Sequence, residues 1–216
     1  MSDIYIRHYE KSDETAVCAI SADTAFFGEP VEAFLDDRKL YSDAFARYYL
    51  IFEAPYAWVA EASDGVVGFL LGCENTAGQQ ERWRSYIQRY VLRKALLNKY
   101  KLGRRTANYA RGMLNSTLRR ERIEVDLEQF PAHLQIDVRQ DHRGKGIGKR
   151  LIGAYLDQLH YMHVTGVHLD TTSHNIVACY LYEKLGFQLL GSRINRYWSR
   201  WFGYQIDDRV YGMSLR

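Results

Sequence analysis

The stretch that most constrains this 216-residue chain is Arg143-Gly144-Lys145-Gly146-Ile147-Gly148, which joins two segments of different period. Before it, Leu134-Gln135-Ile136-Asp137-Val138 reads as a strand; after it, Gly148 to Met162 repeats its apolar residues at helical spacing. Glycines at such a junction let the backbone take positive φ and approach a ligand closely. Successive N–H groups then point at an anion, and the helix N-terminus adds the equivalent of roughly half a positive charge. Lys145, Lys149 and Arg150 bring mobile positive charge to the same place. The arrangement suits a pyrophosphate, although a plain tight connection uses the same residues. No Gly-Lys-Ser/Thr follows at P-loop spacing, and a Rossmann turn fits poorly because the stretch lies late in the chain and Asp170 belongs to another element.

The surrounding pattern is mixed. Val167-His168-Leu169-Asp170 reads as a second strand, so strand, loop, helix and strand form a crossover that makes the two strands parallel. Upstream, Ile4 to His8 is a strand leading into a helix over Thr15 to Ala25, broken by Gly28-Glu29-Pro30. Val31 to Phe52 carries Phe34, Leu35, Tyr41, Phe45, Tyr48, Tyr49 and Phe52 at helical spacing. Ala57 to Ala62 and Val66 to Gly72 flank Asp64-Gly65 as a hairpin. Gln79 to Leu102 and Thr106 to Arg122 read as helices, with Trp83, Ile87, Tyr90, Val91 and Leu97 as the buried stripe of the first. Asn175 to Leu185 is a further helix stopped by Gly186, and Phe187 to Gly191 and Val210 to Leu215 are closing strands.

Composition narrows the class. With 47% hydrophobic and 25% charged residues the chain is an ordinary globular protein, and its length predicts one domain over 1–216 with a basic helical insertion at about 79–130. No stretch approaches the roughly 20 apolar residues of a membrane span. The expected location is cytoplasmic or nuclear, with no membrane partner. Cys18, Cys73 and Cys179 are far apart and lack metal-ligand spacing, so neither disulfide nor metal is expected. Between Arg82 and Arg122 thirteen Arg and Lys face Glu121 alone. That charge is read as serving a ligand's phosphates or the chain's acidic first third rather than nucleic acid.

Arg143, Gly146 and Gly148 fill the motif of Gln or Arg, two residues, Gly, one residue, Gly or Ala that marks the GCN5-related N-acetyltransferase family. Downstream, Asn175-Ile176-Val177-Ala178-Cys179-Tyr180-Leu181-Tyr182-Glu183-Lys184-Leu185-Gly186-Phe187 resembles the family's second signature, in its order and spacing. The resemblance is specific over about Ala132 to Leu190 and only topological before it. It implies an α/β (α+β) fold whose central mixed, mostly antiparallel sheet of about six to seven strands is flanked by helices. It also implies acetyl-CoA as cosubstrate, no metal, and direct acetyl transfer to an amine in a ternary complex.

Carried over residue by residue, the resemblance gives backbone groups of Ile136, Asp137 and Val138 to the pantetheine arm. It gives Arg143 to Lys149 to the pyrophosphate, Asn175 to the cofactor or to a helix cap, and Tyr182 to protonation of the departing thiolate. A phenol titrating near 10 suits a basic sulfur leaving group. No residue type singles out the base; Asp137 stands first, then His133 and His168. The aromatics Tyr197, Trp198, Trp201, Phe202 and Tyr204 fall where the family places the acceptor, as a stacking wall, a hydrophobic plug or a dimer contact in a monomer or homodimer. The blocks Ala132 to Val138 and Gly166 to Asp170 resemble a subgroup of fungi and bacteria, some members of which are attached to amino-sugar-processing enzymes. A small amine such as an amino sugar therefore ranks first as acceptor and a protein lysine or N-terminus second; a non-catalytic acyl-CoA sensor is the competing class.

Overall fold

The computed structural model describes residues 4–119 and 121–216. Its frame is a sheet of seven strands, β1 (Tyr5–His8), β2 (Ala57–Ala62), β3 (Gly65–Cys73), β4 (Ala132–Val138), β5 (Gly166–Thr172), β6 (Gln188–Ile194) and β7 (Asp207–Ser214), in the order β1-β2-β3-β4-β5-β7-β6. Every neighbouring pair is antiparallel except β4 and β5. The helices are α1 (Glu14–Thr24), α2 (Arg38–Ala44), α3 (Ala46–Phe52), α4 (Thr76–Tyr86), α5 (Leu92–Leu96), α6 (Arg104–Leu118), α7 (Ile147–Tyr161), α8 (Ile176–Lys184) and α9 (Arg196–Phe202). None of these is long and apolar enough to cross a membrane.

Strand alternation divides the core between the two faces. Phe69 and Leu71 of β3 meet Val17, Ile20, Tyr48 and Tyr49 of α1 and α3, whereas Leu70 between them joins Ile147, Leu151, Ile152 and Leu159 of α7. Those α7 positions form one buried stripe. Tyr155, on the same helix, donates to the carbonyls of Cys73 (2.9 Å) and His133 (3.0 Å), tying α7 across β3 and β4.

One expectation gains detail and one is corrected. The helical region Val31 to Phe52 holds two short helices: Asp37 caps α2 by accepting from the Leu40 N–H at 2.8 Å, Asp36 accepts from the N–H groups of Gly103 and Thr106, and Phe45 (φ −115°, ψ −81°) separates α2 from α3. Acidic residues that could have solvated a helix surface instead start a helix and hold a distant loop. Leu97 is not in the buried stripe but exposed, because a π-helical segment at Ile87–Val91 shifts the phase and the helix ends at Leu96.

Candidate active site

The parallel pair that builds the site is short. β4 and β5 are paired only at Ala132↔Val167 and His133↔His168, whereas β4 stays paired with β3 as far as Val138. Beyond His133 the two parallel strands diverge. Arg139 N–H donates to the Val67 carbonyl at 2.8 Å. Antiparallel alternation therefore turns the backbone groups of Asp137 to β3 and those of Ile136 and Val138 into the opening. Of the three residues assigned to the pantetheine arm, Ile136 and Val138 have backbone groups facing the split and Asp137 has only its side chain to offer.

The glycine-rich loop follows at the end of this opening. Gly144 and Gly146 take φ of +76° and +75°, values that favour glycine, and Gly146 is the N-cap of α7 with no side-chain partner among the described residues. A Cβ at either position would meet nothing within 4 Å, so the space beside the loop is open. The first N–H groups of α7 are left for an anion. Lys145, Lys149 and Arg150 are exposed around it. Strand amides turned into the opening, a glycine-lined cradle and the first N–H groups of α7 fit the pantetheine arm and pyrophosphate of acetyl-CoA.

Two cationic clips hold the loop. Arg139 bridges Asp141 (2.8 Å) and Asp64 of the β2–β3 turn, and His142 Nδ1 lies 3.1 Å from Asp141. Asp64, Asp141 and His142 are spaced so that they could surround a cation, and the Arg139 guanidinium supplies positive charge there. Arg143 turns back, its Nε donating to the Val138 carbonyl at 3.1 Å and its Nη2 to the Gly28 carbonyl at 3.4 Å. Gly28 has φ +95°, which favours glycine, and a Cβ there would come 2.7 Å from Arg143 Nη1, so the guanidinium would have to shift.

Asp137 lies where α1, α2, α8 and Arg143 converge. The Thr24 hydroxyl, which donates to the Ile20 carbonyl at 2.8 Å, lies beside its carboxyl and favours the charged form. Tyr41 and Tyr182 are its electrostatic neighbours. Desolvation raises the carboxyl to about 7, with Thr24 and Arg143 pulling the other way. Tyr182 is 6% exposed, and its hydroxyl makes no hydrogen bond to any described residue. Burial, reinforced by Asp137, pushes the phenol above its ordinary range and keeps it protonated. Asn175 precedes α8 with an exposed side chain that does not cap the helix, leaving its amide free for a ligand.

The histidines are placed elsewhere. His133 lies four residues back along β4, roughly 13 Å from Asp137. Thr76 Oγ1 gives its proton to the Pro131 carbonyl (2.7 Å) and so accepts from His133 Nδ1 (2.9 Å), while His133 Nε2 accepts from Tyr49 (2.6 Å). Both nitrogens are committed to a neutral ring, and burial lowers its pKa to about 3. His168, also buried, donates from Nδ1 to the Phe130 carbonyl at 2.9 Å.

The aromatics of α9 pack on partners that were not foreseen. Trp198 packs at 5.3–5.7 Å on Phe26, Phe27 and Phe34 of the α1–α2 connection, with Tyr197 at 4.6 Å and Trp201 at 6.1 Å; Phe202 stacks on Phe26 at 5.6 Å. Phe27 is held at φ +53°, an outlying conformation for a bulky residue. Trp198 thus serves packing, and Trp201 and Tyr204 remain exposed. Thr24, Tyr41 and Phe27 are the site residues that sequence reasoning missed. The run Phe26-Phe27-Gly28 was the available signal. A separate open cleft of 940 Å³, lined by Glu121, Arg122, Arg193 and Asp208 among others, includes neither Asp137 nor Tyr182.

A mixed sheet that opens between its two parallel strands, with a glycine-rich anion cradle below the opening, is an architecture suited to an acyl-CoA donor. The family model for acetyltransferases of the GNAT type matches residues 20–187, and the chain belongs to that family. A human relative, N-acetyltransferase 8B of Homo sapiens, is 33% identical over 84 residues, 39% of this chain and 34% of that protein's own length. The crystal structure of SsHAT superposes with a TM-score of 0.72 at 25% identity over 99% of both chains. An N-acetyltransferase from Staphylococcus aureus Mu50 (TM-score 0.63, 16% identity, all of both chains) has the same fold. So does yncA from Salmonella typhimurium, solved with its cofactor acetyl-CoA (TM-score 0.60, 16% identity, 99% and 94% of the two chains). The chain therefore combines membership of the GNAT acetyltransferase family with that family's fold.

Proposed function

We propose that the protein acetylates a primary amine of a small molecule, an amino sugar or another amine, by direct transfer within a ternary complex. The observation that carries this reading is Asp137: a carboxyl raised to about 7, beside the split strands and electrostatically coupled to Tyr182. Acetyl-CoA supplies an activated thioester. The backbone groups of Ile136 and Val138 bind the arm, and an N–H directed at the thioester oxygen stabilises the charge that develops there. Asp137 takes the proton from the ammonium, which must be neutral to attack. Tyr182 delivers its proton to the departing sulfur.

The acceptor enters beside Tyr41 and Phe27, with Tyr197, Trp198 and Trp201 as the aromatic boundary. A cleft bordered by aromatic rings and a carboxylate suits a compact amine bearing an apolar or ring face. The test is calorimetric titration with acetyl-CoA, then free-thiol release across amines, amino sugars and lysine peptides. Release with a small amine supports the reading. Release only with peptides moves the acceptor to protein lysine or N-termini, and binding without release makes the protein a sensor.

A further inference from the structure

Between Arg82 and Arg119 the chain has eleven Arg and Lys and no carboxylate. Three of these cations have partners inside the fold, Arg82 with Glu53 at 2.7 Å, Lys94 with Asp43 at 2.9 Å and Arg105 with the Glu32 carbonyl at 2.8 Å. Arg89, Arg93, Lys99, Lys101 and Arg111 are exposed, and among the described residues none lies within ion-pair distance of a carboxylate.

The apolar residues of the same segment divide by type. Tyr86 and Tyr100 are buried, and Trp83, Tyr90 and Tyr109 are turned into the hydrophobic clusters. The leucines point outward: Leu92, Leu96, Leu97, Leu102, Leu114 and Leu118 are each at least 51% exposed, and Leu96 reaches 84%. On α5, Leu92 and Leu96 are one turn apart with Arg89 and Arg93 on the adjacent row; on α6, Leu114 and Leu118 repeat the spacing with Arg111 beside them. No residue of α6 is buried along its fifteen positions. Exposed leucines in such number, interleaved with unpaired cations, mark a docking surface rather than scattered surface apolarity.

We propose that the α5–α6 segment docks on an anionic lipid surface, its leucines entering the boundary between headgroups and acyl chains while its Arg and Lys sit at the headgroup phosphates. This departs from the sequence reading, which gave this charge no membrane partner, and it is independent of which amine is acetylated. Leucines beside a row of Arg on an exposed helix are the composition of an interfacial helix. A nucleic acid uses aromatic faces for stacking, and here the aromatics face inward. A second copy would bring cations against cations with no carboxylate in the patch to offset them.

Sedimentation with phosphatidylcholine vesicles, with and without phosphatidylserine, tests this on the full chain. The protein is expected to pellet with the phosphatidylserine vesicles and to remain in solution with phosphatidylcholine alone. The double variants Leu92→Ser/Leu96→Ser and Arg89→Glu/Arg93→Glu are each expected to lower the bound fraction about tenfold or more while the thermal midpoint stays unchanged. Equal partition of wild type to both vesicle types overturns the proposal. So does retention by the serine variant, and so does binding to duplex RNA or DNA that exceeds vesicle binding and ignores the leucine substitutions.

Discussion

A carboxyl that titrates at about 7 in a cleft can serve as a base near neutral pH, and the same desolvation makes its charged form a burden on the fold. Asp137→Asn separates the two effects. It should lower turnover about 10²- to 10⁴-fold and remove the limb of the pH–rate profile that rises through about 7. An Asn variant with an unchanged profile would move the base to a water path. Tyr182 is the opposite case, a phenol that burial keeps protonated. Tyr182→Phe should lower kcat by roughly one to three orders of magnitude and leave acetyl-CoA affinity as it is, because only the hydroxyl is lost from a packed ring. Full activity in steady-state assays would assign the proton to another donor. Neither environment was legible in residue type. Asp137 was ranked by its strand alone, and Thr24 and Tyr41 reach it from helices more than ninety residues earlier, a convergence that leaves no local pattern.

At the scale of elements, the segment from β4 to β6 was legible because three independent signals agree there: period two, period 3.6, and glycines at both helix ends. The place where β4 parts from β5 was not, since both strands keep their alternation after pairing stops. Between α1 and β2 the aromatic spacing was right, but helix boundaries were set by Asp36 and Asp37 bonding to backbone N–H groups, one of them across 70 residues. The α7 N-terminus gives a prediction of its own. Space beside Gly146 is open, so a side chain there meets no protein atom, and its φ of +75° costs an alanine only about 1–2 kcal/mol. Gly146→Ala should therefore weaken acetyl-CoA binding modestly, whereas Gly146→Glu places a carboxylate in the anion cradle and should abolish it. Calorimetric Kd values for the two variants that coincide would remove the loop from cofactor binding.

For the whole molecule, Asp137 and His133, on one face of β4, set opposing demands on proton uptake. Folding raises Asp137 from 3.8 to about 7, so between these values the native state holds a proton that the unfolded chain has released. Folding lowers His133 from 6.5 to about 3, so in that range the native state lacks a proton that the unfolded chain has taken up. From about pH 4 to 6.5 the two exchanges cancel, and this pair adds no tilt to stability against pH. Removing either partner exposes the other. In Asp137→Asn the native state's extra proton is lost while His133 remains, and stability relative to wild type should fall as pH drops from about 7 toward 4, by up to about 1.4 kcal/mol per pH unit. In His133→Gln the sign reverses, and stability relative to wild type should rise as pH drops from about 6.5 toward 4. Loss of the Tyr49 and Thr76 hydrogen bonds lowers the His133→Gln curve at every pH without tilting it, so slope rather than height is the readout. Urea midpoints for the three proteins from pH 4 to 7 give that slope directly, since any change in packing common to all pH values drops out of the differences. Three parallel curves would mean that Asp137 titrates as a solvated carboxyl, and the base assignment would fall with it.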